Sequence, residues 1–210
     1  ADGTRVLGVI ELKRSTVSVA EGIRQNLDNQ KQDFIRNFFT TMQLVMAGND
    51  TQGVRYGTIE TAEKYYLEWK ETGAPSATES TNKLDQHLSQ LCSKARFLEI
   101  IHDFIVFDAG VKKTCRHNQY FGIQAAKAFI QRREGGIIWH TQGSGKSLTM
   151  VWLAKWIREN VQDSRVLIIT DRTELDEQIE KVFAVVEETI LRTKSGADLV
   201  NILNQTAPWL

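Results

Sequence analysis

A glycine-spaced loop between Gly135 and Ser147 has the residue types that bind phosphate. Its sequence is GGIIWHTQGSGKS, and residues with helical periodicity follow it. Glycines permit positive φ and close approach of phosphate oxygens, and amides at a helix start attract anions. The lysine can reach the β- and γ-phosphates, and the serine hydroxyl can bind Mg²⁺. The candidate nucleotide-binding residues are Thr141, Gly143, Ser144, Gly145, Lys146 and Ser147, of which Ser147 is also a candidate metal ligand.

The alternative to a phosphate site is a glycine-rich turn followed by Gly-Lys-Ser by chance. His140 stands where the longer form of the motif begins with glycine. The phosphate-facing half is intact, and its place between an apolar run and an amphipathic helix favours nucleotide binding.

Glu11 and Lys13 form a second candidate site. They end the β-rich run Val6–Lys13, and because strand side chains alternate they lie on one face, about 7 Å apart along the strand. In nucleases such a carboxylate holds Mg²⁺ while the lysine stabilises the attacking water or the developing charge. Glu-x-Lys alone is more often a solvated strand end. Gln25 in the next predicted helix is a possible third member, or a surface glutamine.

Two further polar residues flank the phosphate loop. Gln119 lies upstream, and its amide can both donate to and accept from an adenine edge, although a polar cluster at a helix start explains it equally well. Arg172 lies downstream, at the carboxyl end of a predicted strand, where it could contact a nucleic-acid backbone or cap a helix.

The elements around the loop predict an α/β unit. Ile137–Trp139 and Arg165–Thr170 are apolar runs typical of buried parallel strands, and a helix is expected after each. The second helix, about Glu174–Val185, begins with a capping box. This order predicts a right-handed parallel arrangement with ligands at the carboxyl ends of the strands.

The first part of the chain predicts a separate framework. A helix is expected over Val19–Phe39, then a strand, a turn and a strand over Leu44–Thr58, then an aromatic core cluster from Tyr65 to Trp69. The small, polar stretch Thr72–Thr81 predicts a domain junction, and an amphipathic helical stretch from Leu84 to Phe107 leads toward the phosphate loop.

Composition is that of a globular protein. The 210 residues are 41% hydrophobic with zero formal net charge, so nucleic-acid binding would depend on local patches. No metal-ligand spacing joins Cys92, Cys115, His87 and His102, so we expect no zinc site. The two cysteines are expected to be reduced thiols in a cytoplasmic setting. No apolar run reaches membrane-spanning length. The chain begins without Met, almost inside a strand, and we expect it to be an internal fragment of a larger protein.

These segments together resemble the restriction (motor, R) subunit of type I restriction-modification enzymes. Residues 135–150, GGIIWHTQGSGKSLTM, and 169–179, ITDRTELDEQI, are similar to that family's first and next helicase motifs. Val9–Lys13 resembles its nuclease strand, Gln25 falls where it has a further nuclease glutamine, and residues 116–120 resemble its adenine-side motif. The motifs occur in the family's order.

The resemblance implies a fold and a domain organisation. The α/β fold class would comprise the remainder of a PD-(D/E)xK nuclease-like domain, residues 1–72, and the start of a RecA-like P-loop helicase lobe, residues 116–210. A linker with bridging helices, residues 73–115, would join them.

The resemblance also implies ATP-dependent translocation on double-stranded DNA and Mg²⁺-dependent endonuclease cleavage. Glu11, Lys13 and Gln25 would be catalytic, with Glu11 a metal ligand, while Gln119 would bind ATP and Arg172 would contact DNA. The implied cofactors are ATP and Mg²⁺. The implied partners are DNA and the methylation and specificity subunits of a cytoplasmic restriction complex, without a membrane.

The sequence departs from the family's pattern at two points. The family's nuclease uses an Asp at a position before Ala1, and Asn29 stands where the family usually has Tyr. Further motor motifs would follow Leu210, so we expect the fragment alone to be inactive. Two alternatives stay open. One is an ATP-binding helicase-like module whose nuclease-like segment is a non-catalytic DNA- or subunit-binding element, and the other is a different ATP-dependent helicase.

Overall fold

The computed structural model describes residues 5–71, 82–108, 110–170, 180 and 191–204. The chain divides into two units, residues 1–105 with 111–117 and residues 106–110 with 118–210. The predicted junction Thr72–Thr81, Arg172 and most of the predicted helix Glu174–Val185 lie outside the described residues. The domain boundaries at 72 and 115 stay a prediction.

A four-stranded sheet forms the centre of the first unit. Its strands are β1 (Gly8–Leu12), β2 (Leu44–Asn49), β3 (Gly53–Gly57) and β4 (Leu67–Glu68), in the order β1-β2-β3-β4. β1 and β2 are parallel, and the other neighbours are antiparallel. All six residues of β2 are buried, as a strand covered on both faces requires. The predicted strands in this part of the chain, and the mixed α/β class, are confirmed.

The first helix, α1, covers Val19–Asn29 and packs on β1 and β2. The prediction of one helix through Phe39 is wrong, because α1 ends at Gln30 and a separate 3₁₀ helix spans Arg36–Thr41. Asp28 and Asn29 favour non-helical backbone. The Gln30 side chain then stabilises the exit, since its Oε1 accepts a hydrogen bond from the Glu60 amide at 2.6 Å.

The apolar residues after α1 are not core residues. Phe34, Ile35 and Phe38 are 61%, 54% and 46% exposed, whereas Phe39 is 1% exposed. Their spacing is typical of an amphipathic helix, but these residues do not form one continuous buried face. The predicted aromatic core cluster is also only partly buried, since Trp69 is fully buried and Tyr65 is 62% exposed.

Two helices follow the sheet. α2 covers Lys83–Leu91 and α3 covers Lys94–Asp103. The predicted helical stretch extended to Phe107, but the chain leaves the helix at Phe104 and forms β5 (Ile105–Asp108), which pairs with β6 (Val111–Thr114) in a two-stranded sheet. The β-branched and aromatic residues of Ile105–Asp108 prefer extended backbone, which explains the difference.

Three helices are described after β6. They are α4 (His117–Gln131), α5 (Lys146–Asn160) and α6 (Gly196–Leu203). Ile123 on α4 and both Val151 and Trp152 on α5 are buried at 1% exposure, so the amphipathic helix predicted after the loop does bury its apolar residues.

The two apolar runs beside the phosphate loop are not strands in the structure. Residues 134–141 have no regular structure, and residues 165–170 contribute only an isolated bridge at Val166. Ile137, Trp139 and Ile169 are 87%, 90% and 81% exposed. A buried parallel strand needs hydrogen-bonded neighbours and covering helices, and the described residues do not supply them here. The described part of the chain therefore does not contain the predicted parallel strands, and the parallel unit stays a prediction for the full-length protein.

None of the helices in the described ranges combines the length and the apolar character that a membrane span requires.

Candidate functional site

Three side chains that were predicted to be catalytic meet in the first unit. Lys13 Nζ lies 3.0 Å from Glu11 Oε1 and also donates a hydrogen bond to Gln25 Oε1. Glu11 is on β1, Lys13 directly follows this strand, and Gln25 is on α1. The side chains of Lys13 and Glu11 are 19% and 26% exposed. They form a polar cluster at the end of β1 that remains open to a substrate.

Two side-chain amides, one buried and one at the surface, fix α1 on the sheet. Asn26 is 1% exposed, and its Nδ2 donates to the Met46 carbonyl of β2 at 2.8 Å. At the helix start, Gln52 Oε1 accepts from the Val19 amide at 2.7 Å. A buried amide without a partner costs about 1–3 kcal/mol, so these bonds favour one position of the helix. That position brings Gln25 to Lys13.

Gly22 is a residue that the sequence reasoning missed. A Cβ at this position would lie 3.1 Å from the Ala47 Cβ, 3.4 Å from the Glu11 carbonyl oxygen and 3.5 Å from the Glu11 Cγ. Glycine therefore lets α1 approach β1 at Glu11. An isolated glycine inside a helical pattern was the signal, because such a glycine often has a packing reason.

Glu11 provides the carboxylate of the cluster. Lys13 bonds Oε1, and Oε2 makes no hydrogen bond to the described part of the chain. Mg²⁺ is typically held by one or two carboxylates together with waters and substrate oxygens. Glu11 fits the role of one such ligand, and Lys13 supplies a positive charge beside it.

The phosphate loop has two glycines in left-handed conformations. Gly143 and Gly145 have φ of 75° and 86°, which favours glycine at both positions. Among the described residues, no atom lies within 4 Å of a Cβ placed on Gly143. Ser144 is buried, and its hydroxyl and amide donate to the Thr141 carbonyl at 2.7 and 3.3 Å. Thr141 and Ser144 therefore close the loop.

α5 begins at Lys146, immediately after the loop, and no side chain caps its start. Its first amides therefore lack intrahelical partners and can bind an anion. Lys146 Nζ donates to the carbonyls of Thr141 at 2.9 Å and His140 at 3.4 Å, so the ammonium group lies over the loop. Ser147 follows in the first helical turn, half-buried. These residues fit a nucleotide phosphate.

Gln119 lies in the first turn of α4, where it is 2% exposed. Its Nε2 donates to the Gly145 carbonyl at 2.8 Å. This side chain therefore braces the phosphate loop, a contact that the sequence did not reveal. Its predicted contact with adenine stays a prediction, as does the DNA contact of Arg172.

The cysteines and His87 are residues of the protein interior. Cys92 and Cys115 are free thiols, and burial raises the pKa of both, which keeps them protonated at neutral pH. His87 Nδ1 accepts a hydrogen bond from the Val54 amide at 3.1 Å, and burial lowers the pKa of its imidazole. His87 is thus a packed core residue.

Two family profiles match the chain, one on each candidate site. Residues 4–64 match the N terminus of type I restriction enzyme R proteins. This range includes Glu11, Lys13 and Gln25. Residues 118–209 match the SWI2/SNF2 ATPase family. This second range includes Gln119 and the loop through Ser147.

Curated proteins from several organisms are similar over most of the chain. The HindI type I restriction enzyme endonuclease subunit of Haemophilus influenzae is 25% identical over 89% of this chain and 19% of its own length. The SsaAORF53P endonuclease subunit of Staphylococcus saprophyticus is 23% identical over 92% of this chain and 21% of its own length. A Methanocaldococcus jannaschii relative named for the same subunit class, MjaIXP, is 33% identical over 59% of this chain and 13% of its own length.

The chain thus spans between 13% and 21% of the length of these relatives. The profile over β1 and α1 and the names of the relatives agree with the residues that meet at Glu11. Together, these comparisons support the assignment of the chain to the R subunits, the endonuclease subunits, of type I restriction enzymes.

Proposed function

We propose that the full-length protein containing this chain hydrolyses ATP to translocate on double-stranded DNA and cleaves that DNA with Mg²⁺, as the restriction subunit of a type I restriction-modification system. One observation carries the proposal: a single chain has both an assembled Glu11–Lys13–Gln25 cluster and a phosphate loop with Lys146 over it. Hydrolysis of ATP and hydrolysis of DNA need these two different kinds of phosphate site.

In the nuclease part, Glu11 holds the metal through its carboxylate. Bound Mg²⁺ would polarise the scissile phosphate and lower the pKa of the attacking water. Lys13 then stabilises the negative charge that develops on the phosphate oxygens. Gln25 accepts a hydrogen bond from the Lys13 ammonium group and so orients it.

In the motor part, the loop from Gly143 to Lys146 and the start of α5 receive the phosphates. Lys146 leaves the carbonyls of His140 and Thr141 to contact the nucleotide, and Ser147 binds its Mg²⁺. An ammonium group that exchanges neutral carbonyls for charged phosphate oxygens gains stronger hydrogen bonds.

We propose that this function belongs to a larger assembly. We propose a PD-(D/E)xK nuclease-like fold for the first unit and a RecA-like lobe for the second, both completed by other parts of the full-length protein. Methylation and specificity subunits would be its partners, and the complex would act in the cytoplasm, where its DNA substrate lies.

The motor assignment is tested by Lys146→Ala in the full-length protein. Loss of a charge-assisted contact to the transferred phosphate should lower ATP hydrolysis at least about 100-fold. Steady-state phosphate release in the presence of DNA measures this effect. Lys155→Ala is the matched control, because Lys155 lies on the same helix and pairs with Glu159 at 3.7 Å. Normal ATPase activity of Lys146→Ala would exclude the assignment.

A second function is favoured by the mutual pairing of the side chains in the Glu11 cluster. Lys13 already pairs with both Glu11 and Gln25, so the three side chains satisfy one another without a substrate. In this alternative the chain is part of an ATP-binding helicase-like module, and the cluster is a structural element that holds DNA or a subunit. Cleavage that survives Glu11→Gln would favour this alternative.

A further inference from the structure

The phosphate loop touches α4 at two points, and each contact depends on a glycine. At one, Gly145 of the loop meets Gln119 of α4, and a Cβ on Gly145 would lie 2.5 Å from Gln119 Nε2. At the other, Gly122 of α4 meets His140, and a Cβ on Gly122 would lie 3.3 Å from His140 Nε2 and 3.3 Å from Ile138 Cγ2. Gln119 and Gly122 are three residues apart and therefore lie on one face of the helix.

The imidazole of His140 is held by packing. Its Nδ1 is buried and has no hydrogen-bond partner in the described part of the chain. A buried polar atom without a partner is unusual and calls for an explanation. The close fit to Gly122 supplies one, because the flat ring fills the space that a helix residue larger than glycine would occupy.

His140 also reaches the lysine of the loop through its backbone. The His140 carbonyl accepts a hydrogen bond from Lys146 Nζ at 3.4 Å, next to the Thr141 carbonyl at 2.9 Å. One residue thus contacts α4 with its side chain and Lys146 with its main chain. A shift of the ring away from Gly122 would move the carbonyl and with it the resting position of the ammonium group.

We propose that His140 is a positioning residue, whose ring against Gly122 fixes the phosphate loop on α4 and sets the position of Lys146 for a nucleoside triphosphate. The proposal rests on the function given above only in naming the nucleotide. The contact itself is a steric property of α4 and the loop, and it goes beyond any role of His140 as a motif residue.

The test uses a double-mutant cycle on the full chain. Gly122→Ala places a methyl group against the His140 ring, while alanine is the better helix former inside α4. The thermal midpoint should therefore stay the same or rise. ATP affinity, measured by equilibrium dialysis, should fall about tenfold, because the loop is displaced to relieve the overpacking.

The second half of the cycle identifies the residue responsible. In a His140→Ala background, Gly122→Ala should cause no further loss of affinity, because the ring is gone. In an Ile138→Ala background the loss should persist. An equal loss in both backgrounds, or no loss in Gly122→Ala itself, would overturn the role of His140.

A nucleotide-free measurement separates this proposal from the proposed function. Amide hydrogen exchange in residues 141–147 should be faster in Gly122→Ala than in the unaltered chain. In the double variant, it should approach the exchange rate of the His140→Ala variant. If the unaltered chain does not bind ATP, the proposed function fails and the exchange data alone decide the contact. Unchanged exchange in Gly122→Ala would overturn the proposal.

Discussion

Replacing His87 with phenylalanine removes the acceptor of a buried backbone hydrogen bond. His87 on α2 is 9% exposed, and its Nδ1 accepts from the Val54 amide of β3 at 3.1 Å. It also fits closely against Gly53, where a Cβ would lie 2.4 Å from Nδ1. Phenylalanine cannot accept the bond, so the Val54 amide would remain buried without a partner, at a cost of about 1–3 kcal/mol.

The burial of His87 makes stability depend on pH. Burial is the largest influence on the imidazole and lowers the pKa of His87 below its value in the unfolded chain. The folded state therefore favours the neutral ring. This stability is fully present above the unfolded pKa of about 6.5 and is lost as the pH falls through 6.5 toward the folded pKa.

Thermal unfolding followed by near-UV circular dichroism between pH 5 and 8 would measure both effects. His87→Phe should have a lower midpoint at pH 8 and a weaker pH dependence than the unaltered chain. Some pH dependence should persist, because burial also lowers the pKa of His117. His102→Phe is the control, since the His102 side chain is 75% exposed. An unchanged midpoint in His87→Phe, or an unchanged slope, would refute the reasoning.

Two further substitutions test the packing of the first unit by chemical denaturation. Gly22→Ala gains about 1 kcal/mol of helix propensity but loses about 1–3 kcal/mol by overpacking against Ala47. Because the β2 backbone at Ala47 cannot move away, we expect a net destabilisation. A more stable variant would contradict this. Tyr66→Phe removes a buried hydroxyl without a described partner and should leave stability unchanged or higher. Tyr56→Phe removes the donor to the Cys115 carbonyl at 2.8 Å and should cost about 1–3 kcal/mol. Equal effects of the two variants would contradict the hydrogen-bond assignment.

The first candidate site was largely predictable because its geometry is local. Strand alternation places Glu11 and Lys13 on one face whatever the rest of the fold does. That Gln25 would join them required the position of α1 on the sheet, which depends on Asn26 and Gly22. Such contacts join distant parts of the chain, and no spacing rule shows them. The resemblance indicated Gln25 where the residue pattern alone left it open.

In the second unit, the local sequence predicted the phosphate loop but not the arrangement around it. The loop glycines and the start of α5 at Lys146 follow from local sequence, and the structure agrees with both. The apolar runs at Ile137–Trp139 and Arg165–Thr170 predicted buried strands, but apolarity indicates only a tendency to be buried. A strand forms when a neighbour supplies ladder hydrogen bonds, and local sequence does not identify that neighbour.

The helix predicted over Val19–Phe39 failed for a related reason. Apolar residues recur at helical spacing across the whole stretch, but they do not share one face, because Val19, Ile23 and Leu27 pack in one core cluster and Phe39 packs in another. The end of α1 is set by its last polar residues and by the contact of Gln30 with Glu60, which lies far away in sequence. Helix ends that depend on tertiary contacts are hard to place from local pattern.

The central claim is that the Glu11 cluster cleaves DNA and is separate from the site that hydrolyses ATP. Glu11→Gln in the full-length protein, assembled with its partner subunits, tests it most directly. The half-buried ion pair with Lys13 contributes about 0–1 kcal/mol, so the variant should fold normally. Glu21→Gln is the matched control, because Glu21 is an exposed glutamate on α1.

The measurement is plasmid cleavage and ATP hydrolysis in the same reaction with Mg²⁺. We predict that Glu11→Gln lowers cleavage at least about 100-fold while DNA-stimulated ATP hydrolysis continues at the normal rate. Undiminished cleavage, or loss of both activities in a folded variant, would contradict the account.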